Sequence, residues 1–206
     1  CQKAKQHVTV CLSGEGGDEI FAGYDRFKAS RIYQYYRLIP AAIRQHVIAR
    51  LAARLPDQPQ KKGPVNMLKR YIEGASLPEE GRHLRWQYFS NDDLDAHLYN
   101  DAFKKLINPD RFSLLRRYNE QCTARDRINR EIYLDMRFMM TDSVLMKVDK
   151  MSMASALEIR VPLIDHKIAE FMTSVHGDLK LKGLETKHIF RKALEGILPA
   201  KTIYRG

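Results

Sequence analysis

The sequence predicts a predominantly α-helical chain with one main strand, and three observations carry that expectation. Apolar residues recur at helical spacing through most of the 206 residues. Only one run, His7-Val8-Thr9-Val10-Cys11-Leu12, is β-branched and apolar, the pattern of a strand buried on both faces of a parallel sheet. That run ends in a glycine cluster, Ser13-Gly14-Glu15-Gly16-Gly17-Asp18-Glu19. One strand cannot make a sheet, so its neighbours are expected in a part of the protein outside this sequence or in another chain.

The remaining elements follow in order. A helix runs from the glycine cluster to about Leu38, with Asp18 and Glu19 at its start to complement the helix dipole. Pro40 opens a helix over roughly 40–55, on Ile43, Val47, Ile48 and Leu51. Leu55 to Pro64, with three prolines and a glycine, is the clearest loop. Ser76-Leu77-Pro78-Glu79 and Ser90-Asn91-Asp92-Asp93 read as capped helix starts. Helices are expected at about 65–75, 77–86, 91–99, 111–122, 124–140 and 149–157. Pro162 breaks the chain, Asp165 caps a helix to about Val175, and Gly177 ends it. Gly183-Leu184-Glu185-Thr186 opens a last helix to about Gly196.

The apolar fraction of 44% and charged fraction of 29% exclude a disordered or low-complexity chain. No window approaches the roughly 18 apolar residues of a membrane span, and no apolar leader follows Cys1-Gln2-Lys3-Ala4-Lys5. The missing initiator Met leads us to expect a piece of a longer or processed chain. Cys1, Cys11 and Cys122 form no CxxC pair or metal spacing, which reads as reduced thiols and a cytoplasmic location. Cys11 reads as a small buried hydrophobe. The seven histidines show no ligand spacing. Against 25 acidic residues stand 35 Lys and Arg, a net charge of +10 that implies attraction to anions. The basic residues are scattered in short clusters such as Lys61-Lys62, Lys69-Arg70 and Arg116-Arg117.

Three segments carry chemistry. A strand, a glycine-rich loop and a helix is an arrangement that binds phosphate through backbone N–H groups. Ser13 to Glu19 is neither a Walker loop nor GxGxxG. Its three acids, Glu15, Asp18 and Glu19, make sense if a divalent cation bridges protein and phosphate. A tight turn with capping acids would explain them as well. The second segment runs from Asp142 to Asp165 and mixes Lys147, Asp149, Lys150, Glu158, Arg160 and Asp165 into apolar sequence. Its plain reading is a salt-bridged core helix and turn. In the third, Gly183 to Ala193, Lys187 and Arg191 lie one helical turn apart. Lys187 either reaches a phosphate from near a helix start or is a solvated side chain.

Together the three segments resemble the asparagine synthetase family, in the C-terminal part of its ATP-dependent synthetase domain. The residues that match are Leu12-Ser13-Gly14-Glu15-Gly16-Gly17-Asp18-Glu19-Ile20-Phe21-Ala22-Gly23-Tyr24, Lys147 through Asp165 with Leu163-Ile164 in place of Phe-Leu, and Glu185 to Ala193. Residues 28–130 match in helical character alone. The resemblance implies an α/β fold of the adenine nucleotide alpha-hydrolase type, a parallel sheet with helices. It implies that residues 1–206 form part of the synthetase domain, lacking the pyrophosphatase loop and the glutaminase domain, and are inactive alone. It further implies ATP and Mg2+, with aspartate and glutamine-derived ammonia as substrates, a β-aspartyl-AMP intermediate, and compatibility with a homodimer. By resemblance, Ser13, Gly14, Gly16 and Gly17 contact the nucleotide and Asp18 holds Mg2+. Glu15 takes a proton from the attacking nitrogen, and Lys187 stabilises charge on the α-phosphate. Asp149, Glu158, Arg160 and Arg191 orient substrate or support the site. Within the family, lactam-forming and peptide-cyclising members are the alternative; they often change the acid at the Glu15 position, which is kept here. A basic helical nucleic-acid-binding module would explain the charge but none of the three segments. Neither nucleic acid nor membrane is expected as a partner.

Overall fold

The computed structural model describes residues 1–60, 63–87, 95, 97–107 and 110–205. The described residues are mostly helical and hold one two-stranded parallel sheet. The chain divides into two compact units, Cys1–Arg31 with Cys122–Gly206, and Ile32–Gln121.

In the first unit, β1 (Val10–Leu12) pairs in parallel with β2 (Glu158–Arg160), placing Val10 beside Glu158, Cys11 beside Ile159 and Leu12 beside Arg160. This corrects the expectation that the strand's neighbour lies elsewhere. The partner is Glu158-Ile159-Arg160, whose charged ends conceal a strand because those ends face solvent. The expected burial of the strand on both faces is also corrected. Side chains two apart share a face, and the face carrying Val10 and Leu12 is open, with Leu12 73% exposed. Cys11, on the other face, is half-buried rather than buried.

The expected single helix from the glycine loop is two: Gly17–Ile20 and Asp25–Tyr36. Ala22, fully buried with φ 53°, turns the chain between them, at about 1–2 kcal/mol for a left-handed non-glycine residue. Phe27, Ala22, Ile128, Ile132 and Leu181 form one core. Helix Arg127–Leu134 packs into it from a start capped by Asp126, which accepts from Asn129 N. The backbone then widens to π-helical over Asp135–Leu145 and returns to α over Met146–Met153. The helix expected at 149–157 therefore begins earlier and stops at Met153, freeing Glu158 for β2. Helix His166–Ser174 is capped by Asp165 as expected, and Gly177 ends it only to begin a further turn, Gly177–Lys180. The last expected helix starts at His188, not Gly183, because Lys182 and Glu185 bridge each other in a turn first.

The second unit is helical. Its helices include Ala49–Arg54, Pro64–Ser76, Glu79–Leu84 and Ser113–Gln121. The loop before Pro64 is tied down by Asn66, whose Nδ2 donates to Gln58 O at 2.7 Å and Gln60 O at 2.9 Å while its Oδ1 accepts from Gln58 N. Ser76 does not cap the next helix. It ends its own, donating to Glu73 O, and Pro78 stands at the cap position without a side-chain bond. Of the helix expected at 91–99, residues 91–94 and 96 lie outside the described residues, as does its expected cap Ser90.

Candidate active site

β1 continues one bond into the glycine loop, where Ser13 N donates to Arg160 O at 2.8 Å. Ser13 and Glu15 are half-buried, Gly14 is exposed, and Gly16 and Gly17 are buried. Gly16 has φ +87°, and a Cβ there would stand 1.9 Å from Ile164 Cγ2. The left-handed turn and the approach of the 3-10 turn Pro162–Ile164 both require glycine. Asp18 then rides on the one-turn helix Gly17–Ile20.

From the far end of the chain, Lys187 Nζ comes within 2.9 Å of Asp18 Oδ1. Several contacts hold this meeting. Phe21 and Phe190 stack with ring centres 4.5 Å apart. Ile20, Phe21 and Met172 form an apolar knot against Ile164, Ile189 and Phe190. Lys187 itself has φ 54° and stands at the cap of helix His188–Leu194. Such a left-handed non-glycine residue costs about 1–3 kcal/mol and persists only where its surroundings demand it. Glu185 braces the helix start, with its carboxylate 2.8 Å from His188 Nδ1 and 3.8 Å from Arg191 Nη1. The Lys187 and Asp18 side chains are 29% and 42% exposed. A pair this open contributes little to stability, so its importance lies in geometry.

Gly23 makes the approach possible. A Cβ there would fall 2.0 Å from Asp18 Oδ1 and 2.3 Å from Lys187 Cε. Beneath the loop, buried Glu19 accepts from Tyr24 Oη at 2.5 Å. Burial first, and this hydrogen bond second, push the Tyr24 phenol well above its ordinary range, so it remains a donor. The Arg26 guanidinium covers the Tyr24 ring at 4.0 Å and pairs with Asp135 at 2.8 Å, both ends buried. Sequence reasoning gave Glu19 a place among the loop's acids but overlooked what Gly23, Tyr24, Arg26 and Asp135 do. Gly23-Tyr24 closes the first matching segment, which was the available signal; nothing in the sequence marks Asp135 as Arg26's partner.

The structure thus brings Asp18 and Lys187 together, with Ser13, Gly14, Glu15, Gly16 and Gly17 on the same loop as Asp18. The other candidates are placed differently. Glu158 and Arg160 project from β2 and pair with each other at 2.7 Å, both exposed. Asp149 is exposed on helix Met146–Met153, and Arg191 braces Glu185. The expected salt-bridged core over 142–165 is corrected: Lys147, Asp149, Lys150, Glu158, Arg160 and Asp165 are all exposed.

Among the described residues, no three His, Cys, Asp or Glu side chains gather where a cation could be held. A hard divalent cation arriving with nucleotide phosphates needs only one or two protein carboxylates. The half-exposed Asp18 carboxylate suits that role, so the residues present fit such a cation.

A parallel strand, a glycine-rich loop and a short helix, faced by an amine, form the arrangement that phosphate-handling proteins use to hold an anion. The asparagine synthase family model matches residues 1–206, and the chain belongs to that family. It is 32% identical over 218 residues to glutamine-hydrolyzing asparagine synthetase 1 of Bacillus subtilis, covering 99% of this chain and 30% of that protein. With glutamine-hydrolyzing asparagine synthetase 3 of the same organism it shares 29% identity over 208 residues, 100% of this chain and 26% of that protein. With the amidase chyE of Penicillium rubens it shares 26% identity over 206 residues, 91% of this chain and 29% of that protein. The chain thus spans under a third of the length of these curated relatives. No solved structure matches it.

Proposed function

We propose that this chain forms part of the ATP-dependent synthetase domain of an enzyme that converts aspartate to asparagine. The observation that carries the reading is the 2.9 Å approach of Lys187 to Asp18 on the glycine loop. An amine and a carboxylate are drawn there from opposite ends of the chain, with Lys187 held in a left-handed backbone conformation.

In the reaction, an oxygen of the aspartate side-chain carboxylate bonds to the α-phosphorus of ATP, and the bond from that phosphorus to the pyrophosphate oxygen breaks. Ser13, Gly14, Gly16 and Gly17 hold the nucleotide. Lys187 leaves Asp18 for the α-phosphate oxygens and neutralises the charge that grows on them, a preorganised electrostatic contribution of the kind that dominates such transfers. Mg2+ held by Asp18 would offset the charge of the departing pyrophosphate. Ammonia released from glutamine then attacks the acyl carbon of β-aspartyl-AMP. Glu15 takes the proton shed by the nitrogen, and the carbon–oxygen bond to AMP breaks. Asp149, Glu158, Arg160 and Arg191 act on substrate orientation and on the bracing of the lysine helix. We read β1 and β2 as part of a larger parallel α/β sheet, with the glutaminase and pyrophosphatase-loop segments supplied by the same protein in the cytoplasm. Among the described residues no helix is long and apolar enough to cross a membrane.

The amidase relative favours a second reading, in which the same adenylation activates a different carboxylate for amide formation. Atom tracing separates these readings. With aspartate labelled by 18O in its side-chain carboxylate, one label must pass to AMP as asparagine forms. Unlabelled AMP, or ADP in place of AMP, would sink the proposal. Labelled AMP from another acid, with none from aspartate, would select the second reading.

A further inference from the structure

We propose that the helical unit Ile32–Gln121 carries a ligand site of its own, which takes a small organic carboxylate with an apolar body. The site is a cavity of about 590 Å³, within the usual range for small-molecule pockets. One part of its wall is aromatic and cationic. The Arg82 guanidinium lies 3.7 Å over the Tyr33 ring, and the Arg44 guanidinium lies 5.6 Å over the Tyr36 ring. Another part is apolar, with Ile72 in it. The one carboxylate in the lining, Glu73, is neutralised by Arg85 at 2.5 Å, so Arg44 and Arg82 set the charge the cavity presents.

Arg82 is the less committed of the two arginines. Its Nη2 donates to Leu77 O at a long 3.4 Å, whereas Arg44 donates its Nε to Ile39 O at 2.9 Å. The guanidinium fork matches a planar carboxylate, and tyrosine faces with an aliphatic wall suit a flat or apolar body. Both arginines are already oriented by their stacking, so an anion would find the donors in place. None of the residues named here belongs to the candidate active site, and failure of this proposal leaves the proposed function untouched.

The test is a titration of the intact protein with sodium benzoate at constant ionic strength, following the Ile72 methyl resonance. Benzamide, the uncharged isostere, and inorganic phosphate are run in parallel. Benzoate is expected to shift the Ile72 methyl saturably and to bind at least about tenfold tighter than benzamide. Arg82→Gln is expected to weaken benzoate about tenfold, and Lys105→Gln, the loss of an exposed charge in the same unit, to leave it unchanged. Should Arg82→Gln fail to fold, Arg44→Gln takes its place with the same expectation. The proposal is overturned by equal binding of benzoate and benzamide, by no saturable shift, by phosphate displacing benzoate at equal concentration, or by the Lys105 variant losing as much as the arginine variant.

Discussion

Gly23→Ala isolates geometry from charge at the site. The variant keeps Asp18 and Lys187 but puts a methyl between them, 2.0 Å from Asp18 Oδ1 and 2.3 Å from Lys187 Cε. Ordinary contact lies near 3.5 Å, so each atom must retreat by about 1–1.5 Å, and the 2.9 Å ion pair breaks. Both displaced atoms are ends of flexible, half-exposed side chains. Only Asp18 Cα, at 2.9 Å, is backbone. The side chains can swing aside but that backbone atom cannot, so the stability cost falls in the overpacking range of about 1–3 kcal/mol, or a fall in Tm of about 2–12 °C for a chain of this size. Misplacing reacting groups by about 1 Å can cost about 100-fold in rate. Aspartate-dependent pyrophosphate release by the intact enzyme is thus expected to fall by about that factor while the protein still melts cooperatively, with Tm lowered by no more than that range. Unchanged release would refute the claim that the approach of Lys187 to Asp18 matters. A collapse of melting comparable to the loss of rate would show instead that Gly23 serves packing.

Asp135→Ala removes the carboxylate partner of buried Arg26 and should cost about 3–5 kcal/mol in urea unfolding. Phe190→Ala removes the stack on Phe21 and should cost about 2 kcal/mol, part of the penalty for a fully buried Phe, with a fall in kcat as the lysine helix loosens. Lys180 is fully buried against Asn129, and burial lowers its pKa from 10.5 to about 8. Between about pH 8 and pH 10 the folded chain has shed this proton and the unfolded chain still holds it, so stability should rise by roughly 1.4 kcal/mol per pH unit above about 8. Denaturation midpoints from pH 7 to 10 should show that rise, and Lys180→Met should abolish it. Above pH 10 the raised Tyr24 pKa acts in the opposite direction, because the folded chain then holds the extra proton. Lys187→Gly should remove both the amine and the left-handed strain of φ 54°, giving a chain about 1 kcal/mol more stable than Lys187→Ala and equally inactive.

The helices with strong periodicity were legible in the sequence. Pro64–Ser76 and His166–Ser174 fall within a residue or so of expectation because apolar spacing marks the first and the Asp165 cap marks the second. The second strand was not legible. Glu158-Ile159-Arg160 has one apolar residue, and only its register against Val10–Leu12 makes it a strand. The glycine loop was readable as a candidate site because glycines and acids are crowded there. Its encounter with Lys187 followed from the family resemblance, and the means of the encounter is tertiary. The Phe21–Phe190 stack and the space left by Gly23 involve residues too far apart in sequence for any local pattern to link. The Arg26–Asp135 pair beneath the loop is hidden for the same reason: a charged residue in a helical run looks solvated until the fold buries it.

The most direct test of the central claim is Lys187→Ala in the intact enzyme, read as ATP- and aspartate-dependent pyrophosphate release. Loss of a single preorganised charge-stabilising donor should lower kcat by about 100- to 1000-fold. Melting should stay within about 0.5 kcal/mol of the parent, as for other partly exposed side chains. A variant that releases pyrophosphate at the parent rate would contradict the account.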